Sequence, residues 1–187
     1  MMADNPSRAS LLTPTLVIDK RMEQLHFRGV LISLLAKLAV IILAVFLTFT
    51  LIFGVAIQKG EGMYPRVRDG DLMLYYRLTS SFENGDIITL TRNGVRYTGR
   101  IVAKAGDTVN TSAEGKLIVN GAIQYEEIYY ETYTQGSTLT YPYTIPENSF
   151  FILGDMRTGA SDSRDIGAVT KDEIEGKLIT ILRRRGL

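Results

Sequence analysis

The sequence predicts a mainly antiparallel β domain carried behind a single N-terminal transmembrane helix. Three features predict it. Twenty consecutive residues, Leu38–Ile57, carry no formal charge and are nearly all apolar. Beyond them the pattern changes to short apolar runs broken by turn signals. One of those signals, Asn120-Gly121, sits between Leu117–Val119 and Ile123–Tyr125 and reads as a two-residue hairpin turn.

At 1.5 Å per residue, twenty helical residues span roughly 30 Å, the hydrocarbon thickness of a bilayer. Extending the run back to Val30 adds one charge, Lys37, whose head can snorkel to the interface. A soluble core helix of this length would show a polar face, and this run shows none. A cleaved signal peptide would need a shorter run and a small-x-small exit, whereas this run leaves through Ile57-Gln58-Lys59. The expected organisation is an N-terminal segment over 1–29, an anchor over 30–57 and an outer domain over 58–187. Before the anchor, Arg8, Lys20, Arg21, Arg28 and Lys37 outnumber Asp4, Asp19 and Glu23. The positive-inside rule then puts the N-terminus in the cytoplasm and the outer domain beyond the plasma membrane.

The outer domain holds 16 Lys+Arg and 17 Asp+Glu, a near-neutral balance with no basic stripe for nucleic acid. The chain has no cysteine, so it has neither a disulfide framework nor a thiol nucleophile. Strands are expected at Leu72–Tyr76, Ile87–Thr91, Val95–Val102, Lys116–Val119, Ala122–Tyr125 and Phe150–Leu153. Candidate helices are few, and Lys171–Gly176 reads as one turn. Gly-Asp recurs at 70–71, 85–86, 106–107 and 154–155. These pairs read as turn chemistry, glycine supplying a positive φ and aspartate a bond to a nearby N–H, and not as a metal site. No cofactor is implied.

Three stretches stand out, in order: Gly60-Glu61-Gly62-Met63-Tyr64-Pro65-Arg66-Val67-Arg68-Asp69-Gly70-Asp71, then Tyr97-Thr98-Gly99-Arg100-Ile101-Val102-Ala103-Lys104-Ala105-Gly106-Asp107, then Gly154-Asp155-Met156-Arg157-Thr158-Gly159-Ala160-Ser161-Asp162-Ser163-Arg164. They resemble, with intact spacing, the signature boxes G-x-S-M-x-P-T-L-x-x-G-D, Y-x-K-R-V-I-G-L-P-G-D and G-D-N-R-x-x-S-x-D-S-R of type I signal peptidases. The resemblance covers about residues 38–187 and is weakest over 110–150. It implies an antiparallel signal-peptidase-type β domain.

The same resemblance implies that the usual chemistry is missing. The family's nucleophilic serine, which also helps form its oxyanion hole, falls on Gly62. Its general-base lysine, a neutral amine because burial depresses its pKa, falls on Gly99. The serine that orients this lysine falls on Ala160, and Met156 replaces an asparagine. Framework residues persist: Pro65, Asp71, Arg100, Gly106, Asp107, Gly154, Asp155, Arg157, Asp162, Ser163 and Arg164. The acidic and basic members among them read as structural ion-pair and turn residues. His26, the single histidine, lies on the cytoplasmic side. Thr98, Lys104, Ser161 and Ser163 are the neighbours that could substitute for a lost group. By strand parity Thr98 points away from the face of Gly99.

A frame without its dyad could still bind an extended peptide along a strand edge. Met63, Tyr64, Met73 and Tyr97 are the candidate groove residues. Tyr125–Tyr143 holds six of the ten tyrosines. Tyrosines give contact area with a polar tip, so Tyr129, Tyr130 and Tyr133 are candidate partner contacts, the plainer reading being a tyrosine-rich β subregion covering its own core. Arg183-Arg184-Arg185 reads as a solvated tail that could meet anionic lipid. The chain resembles signal-peptidase-like proteins encoded beside pilus genes in Gram-positive bacteria. This resemblance implies a non-hydrolytic chaperone or scaffold for exported surface proteins, with a pilin or a pilus-specific sortase as partner. The alternatives are an atypical signal peptidase with a nonstandard dyad and a binding module that controls a true signal peptidase.

Overall fold

The computed structural model describes residues 9–125, 128, 130–134 and 136–183, without the side chains of 9–21, 23 and 24. It forms two compact units, 1–48 and 49–187. The first is helical. Helix α1 runs Ala9–Ile52, and its Leu25–Ile52 stretch has a mean hydropathy of 2.9 with no residue buried in its most apolar window. That stretch is long and apolar enough to cross a membrane.

The apolar run expected to be helical to Ile57 changes structure at Phe53. Phe53–Ile57 is strand β1, paired antiparallel with β2 (Leu72–Tyr76), which corrects the end of the expected helical span. Hydropathy alone cannot mark this switch, because β1 is as apolar as the helix before it. The cause is a ready partner. Gly54 lets the Tyr75 ring lie against the β1 backbone, where a Cβ would come within 2.2 Å of the ring.

The remaining elements are β3 (Ile87–Arg92), β4 (Val95–Lys104), β5 (Thr108–Thr111), β6 (Leu117–Val119), β7 (Ala122–Ile123), β8 (Tyr143–Thr144), β9 (Ser149–Leu153), α2 (Ser163–Ile166), β10 (Val169–Thr170), a 3-10 turn (Lys171–Glu173) and β11 (Ile174–Leu182). They build a seven-stranded sheet in the order β1-β2-β11-β3-β4-β9-β10 and a four-stranded sheet in the order β7-β6-β5-β8. All pairings are antiparallel. The class is mainly antiparallel β, as the sequence predicts.

The hairpin forms at Asn120-Gly121, with φ of 54° and 80° as a type I′ turn requires, and Val119 opposite Ala122. Three of the four Gly-Asp pairs make the same turn. Gly70, Gly85 and Gly106 have positive φ, and Asp71, Asp86 and Asp107 each accept from the backbone N–H three residues earlier. Asp155 does something else, described below.

The single helical turn expected over Lys171–Gly176 forms but stops at Glu173. It is a 3-10 turn, and the chain then enters β11, which lies inside the large sheet between β2 and β3. Two register shifts interrupt β11, so its residues do not alternate and its sequence hides the strand. Its placement is fixed by a polar knot at Glu175, which accepts from Tyr75 Oη at 2.7 Å, from Thr91 Oγ1, and pairs with Arg96 at 3.1 Å.

The Lys171–Glu173 turn is pinned by Arg92, whose fork meets both Glu173 oxygens at 2.6 Å while also donating to the carbonyls of Ile166 and Ala168. The Arg92 bond, with Thr170, holds the Glu173 carboxyl at about 2, below its ordinary 4.5. A folded-state value below the unfolded one contributes stability above pH ~4.5 that is lost as pH falls toward about 2. The expected result is that Glu173→Gln costs about 1–3 kcal/mol at neutral pH and flattens the acid limb of stability between pH 4.5 and 2, followed by chemical denaturation across that range.

Candidate functional site

The site is built where the loop after β1, strand β4 and the turn from β9 into α2 converge. The first loop is closed on itself. Gly60, at φ 78°, donates to Asp69 at 2.6 Å, and Asp71 accepts from Arg68 N at 3.0 Å. Met63 and Val67 are fully buried and anchor the loop in a core with Ala56, Met73, Tyr75 and Ile87. The Arg183 guanidinium, 2.8 Å from Asp71, holds that carboxyl below its ordinary range and also donates to Arg66 O. Arg183 is therefore a clamp and not part of a solvated tail. Arg184 and Arg185 lie outside the described residues.

Gly62 meets the third box directly. Its carbonyl accepts from Met156 N at 3.1 Å, and a Cβ placed on it would lie 3.5 Å from Ala160. Gly154 sits beneath both. A Cβ there would come within 2.1 Å of the Ala160 Cβ and 2.5 Å of the Gly62 carbonyl. Gly99 is buried in β4 opposite Ile88, and its side faces Ile152, where a Cβ would lie 2.8 Å from Cδ1. The structure thus sets Gly154 against both Ala160 and the Gly62 carbonyl, leaves ordinary contact distance for a Cβ between Gly62 and Ala160, and stacks Gly99 on Ile152. No hydroxyl or amine is carried at position 62, 99 or 160.

Charged framework residues hold this arrangement. Arg100 grips both oxygens of Asp155 at 2.8 and 2.6 Å and donates its third nitrogen to Gly85 O. Asp162, wholly buried, caps α2, accepts from Gly154 N at 3.0 Å and takes the Arg164 fork at 2.9 and 2.8 Å. Arg164 continues to Arg157 O at 2.6 Å and Tyr133 O at 3.2 Å. Arg157 is buried and donates to Gly154 O at 3.0 Å and to Thr132 Oγ1. Leaving any of these ions unpaired would be costly. Asp107 accepts from Lys104 N and from Asn120, tying Gly106-Asp107 to the hairpin.

The neighbours that carry a hydroxyl or an amine are Ser163, Lys104, Thr98 and Ser161. Ser163 Oγ, buried, accepts from Ile152 N at 3.0 Å. Lys104, more than half exposed, stands 3.9 Å from Glu83. Thr98 lies opposite Thr89 in the β3–β4 ladder, and Ser161 is exposed.

Two of the candidate groove residues are core. Met63 and Met73 are at most 1 % exposed, packed where no peptide can touch them, because the first box must seat its apolar side chains to hold its turn. Tyr64 is half-buried with Arg68 over its ring at 5.4 Å, and Tyr97 is half-buried against the Ile101–Ile152 core. The tyrosine segment divides. Tyr141 and Tyr143 pack on the small-sheet core, Tyr130 is half-buried, and Tyr125 and Tyr133 are exposed, Tyr133 bonding Glu131. Tyr129 lies outside the described residues. Thr132 escaped sequence reasoning, Ile152 was read only as strand and Arg183 only as tail, since none belongs to a box.

The family model for signal peptidase, peptidase S26, matches residues 31–182. Signal peptidase I S of Bacillus subtilis is 28% identical over 159 residues, covering 77% of this chain and 86% of that protein. Signal peptidase I of Bacillus amyloliquefaciens is 29% identical over 153 residues, covering 75% and 81%. A signal peptidase I of Enterococcus faecalis V583, in a crystal structure, is 28% identical and covers 54% of this chain and 98% of that one, with a TM-score of 0.46.

The packing predicts an order among glycine substitutions. Gly62→Ala gains an ordinary contact and shifts stability by less than about 1 kcal/mol. Gly154→Ala collides with backbone and Ala160 and costs at least about 1–3 kcal/mol. Gly99→Ala falls between them and is relieved by Ile152→Ala. Denaturant unfolding of the full chain in detergent measures all four.

Proposed function

This chain belongs to the signal peptidase family, peptidase S26, and we propose that it is a membrane-anchored member that holds exported polypeptides without hydrolysing them. One observation carries the reading. The positions that the family resemblance assigns to nucleophile, base and base-orienter are Gly62, Gly99 and Ala160. Gly62 and Ala160 both close on Gly154, and Gly99 is packed on Ile152. An acyl transfer needs a nucleophile beside a base, and the hydroxyl of Ser163 is already committed to a buried backbone N–H.

The partner is an exported polypeptide. Resemblance to pilus-locus homologues makes a pilin, or the sortase that joins pilins, the specific candidate. The N-terminus is cytoplasmic and 58–187 lie outside, following the cation bias before the anchor. The outer sheet supports a seat at the lipid surface. Val55, Ile57 and Leu182 are each more than half exposed, and Leu72 lies between Ile57 and Leu182 in register. This apolar face starts directly after Ile52, where the helix ends, so the chain delivers it to the membrane boundary.

A serine-directed acylating inhibitor of the penem type tests the reading. Intact-mass measurement after prolonged exposure should show unmodified protein. A stoichiometric acyl adduct on any residue would reveal a substitute nucleophile and favour the atypical peptidase instead.

A further inference from the structure

The hairpin from β3 to β4 turns on Asn93-Gly94, one of the chain's Asn-Gly pairs beside Asn84-Gly85 and Asn120-Gly121. Asn93 and Gly94 sit at φ 53° and 77° between the paired Arg92 and Val95, as a two-residue type I′ turn requires. Asn-Gly is also the dipeptide in which the main chain most readily attacks the side chain, because glycine has no Cβ to shield its nitrogen. The glycine nitrogen, its proton lost to solvent, attacks the asparagine Cγ, and the side-chain amide leaves as ammonia. Water then opens the cyclic imide at either carbonyl. One opening gives aspartate. The other gives isoaspartate, in which the main chain runs through the side-chain carbons.

The fold treats these pairs differently. Gly85 N, the attacking atom after Asn84, donates to Ile101 O at 2.8 Å, and Gly85 O accepts from Arg100 at 2.8 Å. In Asn120 the target amide is held at both ends. Its Oδ1 accepts from Thr108 N at 2.9 Å, and its Nδ2 donates to Asp107 at 2.8 Å. Asn93 and Gly94 are both exposed, and neither the Asn93 amide nor Gly94 N has a hydrogen-bond partner among the described residues. Attack at 84 or 120 must first break a bond that the fold has made. Attack at 93 needs only rotation within an exposed turn.

We infer that Asn93 is a site of spontaneous covalent modification, deamidating in the folded chain to aspartate and isoaspartate. Water is the sole co-reactant. The aspartate product keeps the turn, since Asp-Gly suits type I′ as Asn-Gly does. Isoaspartate adds a main-chain atom to a turn with no slack. The misfit falls on the residues that flank the turn. Arg92 holds Glu173 at 2.6 Å, and Arg96 holds Glu175 at 3.1 Å. Those ties fix the 3-10 turn and β11, so a change at 93 reaches a strand inside the large sheet. This chemistry does not depend on whether the chain hydrolyses exported polypeptides.

The test ages the full chain in detergent micelles at mildly alkaline pH, once folded and once in urea. Digested peptides are then mapped by mass spectrometry, with the aspartate and isoaspartate forms separated by chromatography. Each folded-state rate is divided by the rate of the same pair in urea, where the fold holds none of them. On that scale Asn93 should convert at least about fivefold faster than Asn84 and Asn120, the factor that one net hydrogen bond carries. A rate at Asn93 equal to or below that of either other pair would overturn the site. The isoaspartate form, isolated by ion exchange, should also melt below an Asn93→Asp variant, which has the new charge without the extra main-chain atom. Equal melting of the two would overturn the link from the turn to β11.

Discussion

The contact among Gly62, Gly154 and Ala160 is the constraint on which the rest of the outer domain depends. Gly62 O receives Met156 N, and Gly154 lies so close to both loops that a single added carbon would sit 2.1 Å from the Ala160 Cβ and 2.5 Å from Gly62 O. The first loop can approach the third box this closely only if both are rigid. The first is made rigid by buried Met63 and Val67 and by the Asp71–Arg183 clamp. The third is made rigid by Asp162, which caps α2 while binding Gly154 N and the Arg164 fork.

Burying Asp162 and Arg157 carries a desolvation cost that pairing only repays when the geometry is nearly complete. The geometry here is nearly complete, and it extends outward. Arg157 reaches Thr132, and Arg164 reaches Tyr133 O, while Ser137 and Thr138 bond the Arg164 carbonyl in return. The segment from Thr132 to Thr138 is thus fastened to the turn from β9 into α2.

Much of this was legible beforehand, for physical reasons. Strand β2 and the β6–β7 hairpin announce themselves through apolar runs and an Asn-Gly turn. The three Gly-Asp turns follow from what glycine and aspartate do locally. Strand β11 was hidden because two bulges break its alternation, and the Phe53 switch from helix to strand was hidden because an apolar run looks the same in either form. In the site, positions 62, 99 and 160 were singled out by the resemblance of the three boxes to the family's signatures. Their packing could not be foreseen, since Ile152 and Gly154 look like ordinary strand-end residues. Thr132, twenty-five positions from Arg157, has no sequence signal at all. Met63 and Met73 sit at box positions that suggest a groove, but the need to seat the loop puts them in the core.

The most direct measurement is incubation of the full chain, in vesicles of phosphatidylglycerol and phosphatidylethanolamine, with a preprotein bearing an A-x-A exit, scored for both binding and cleavage. A frame that holds without cutting predicts saturable retention of intact preprotein over hours. Appearance of mature protein cut after that A-x-A, abolished by boiling the chain, would contradict it.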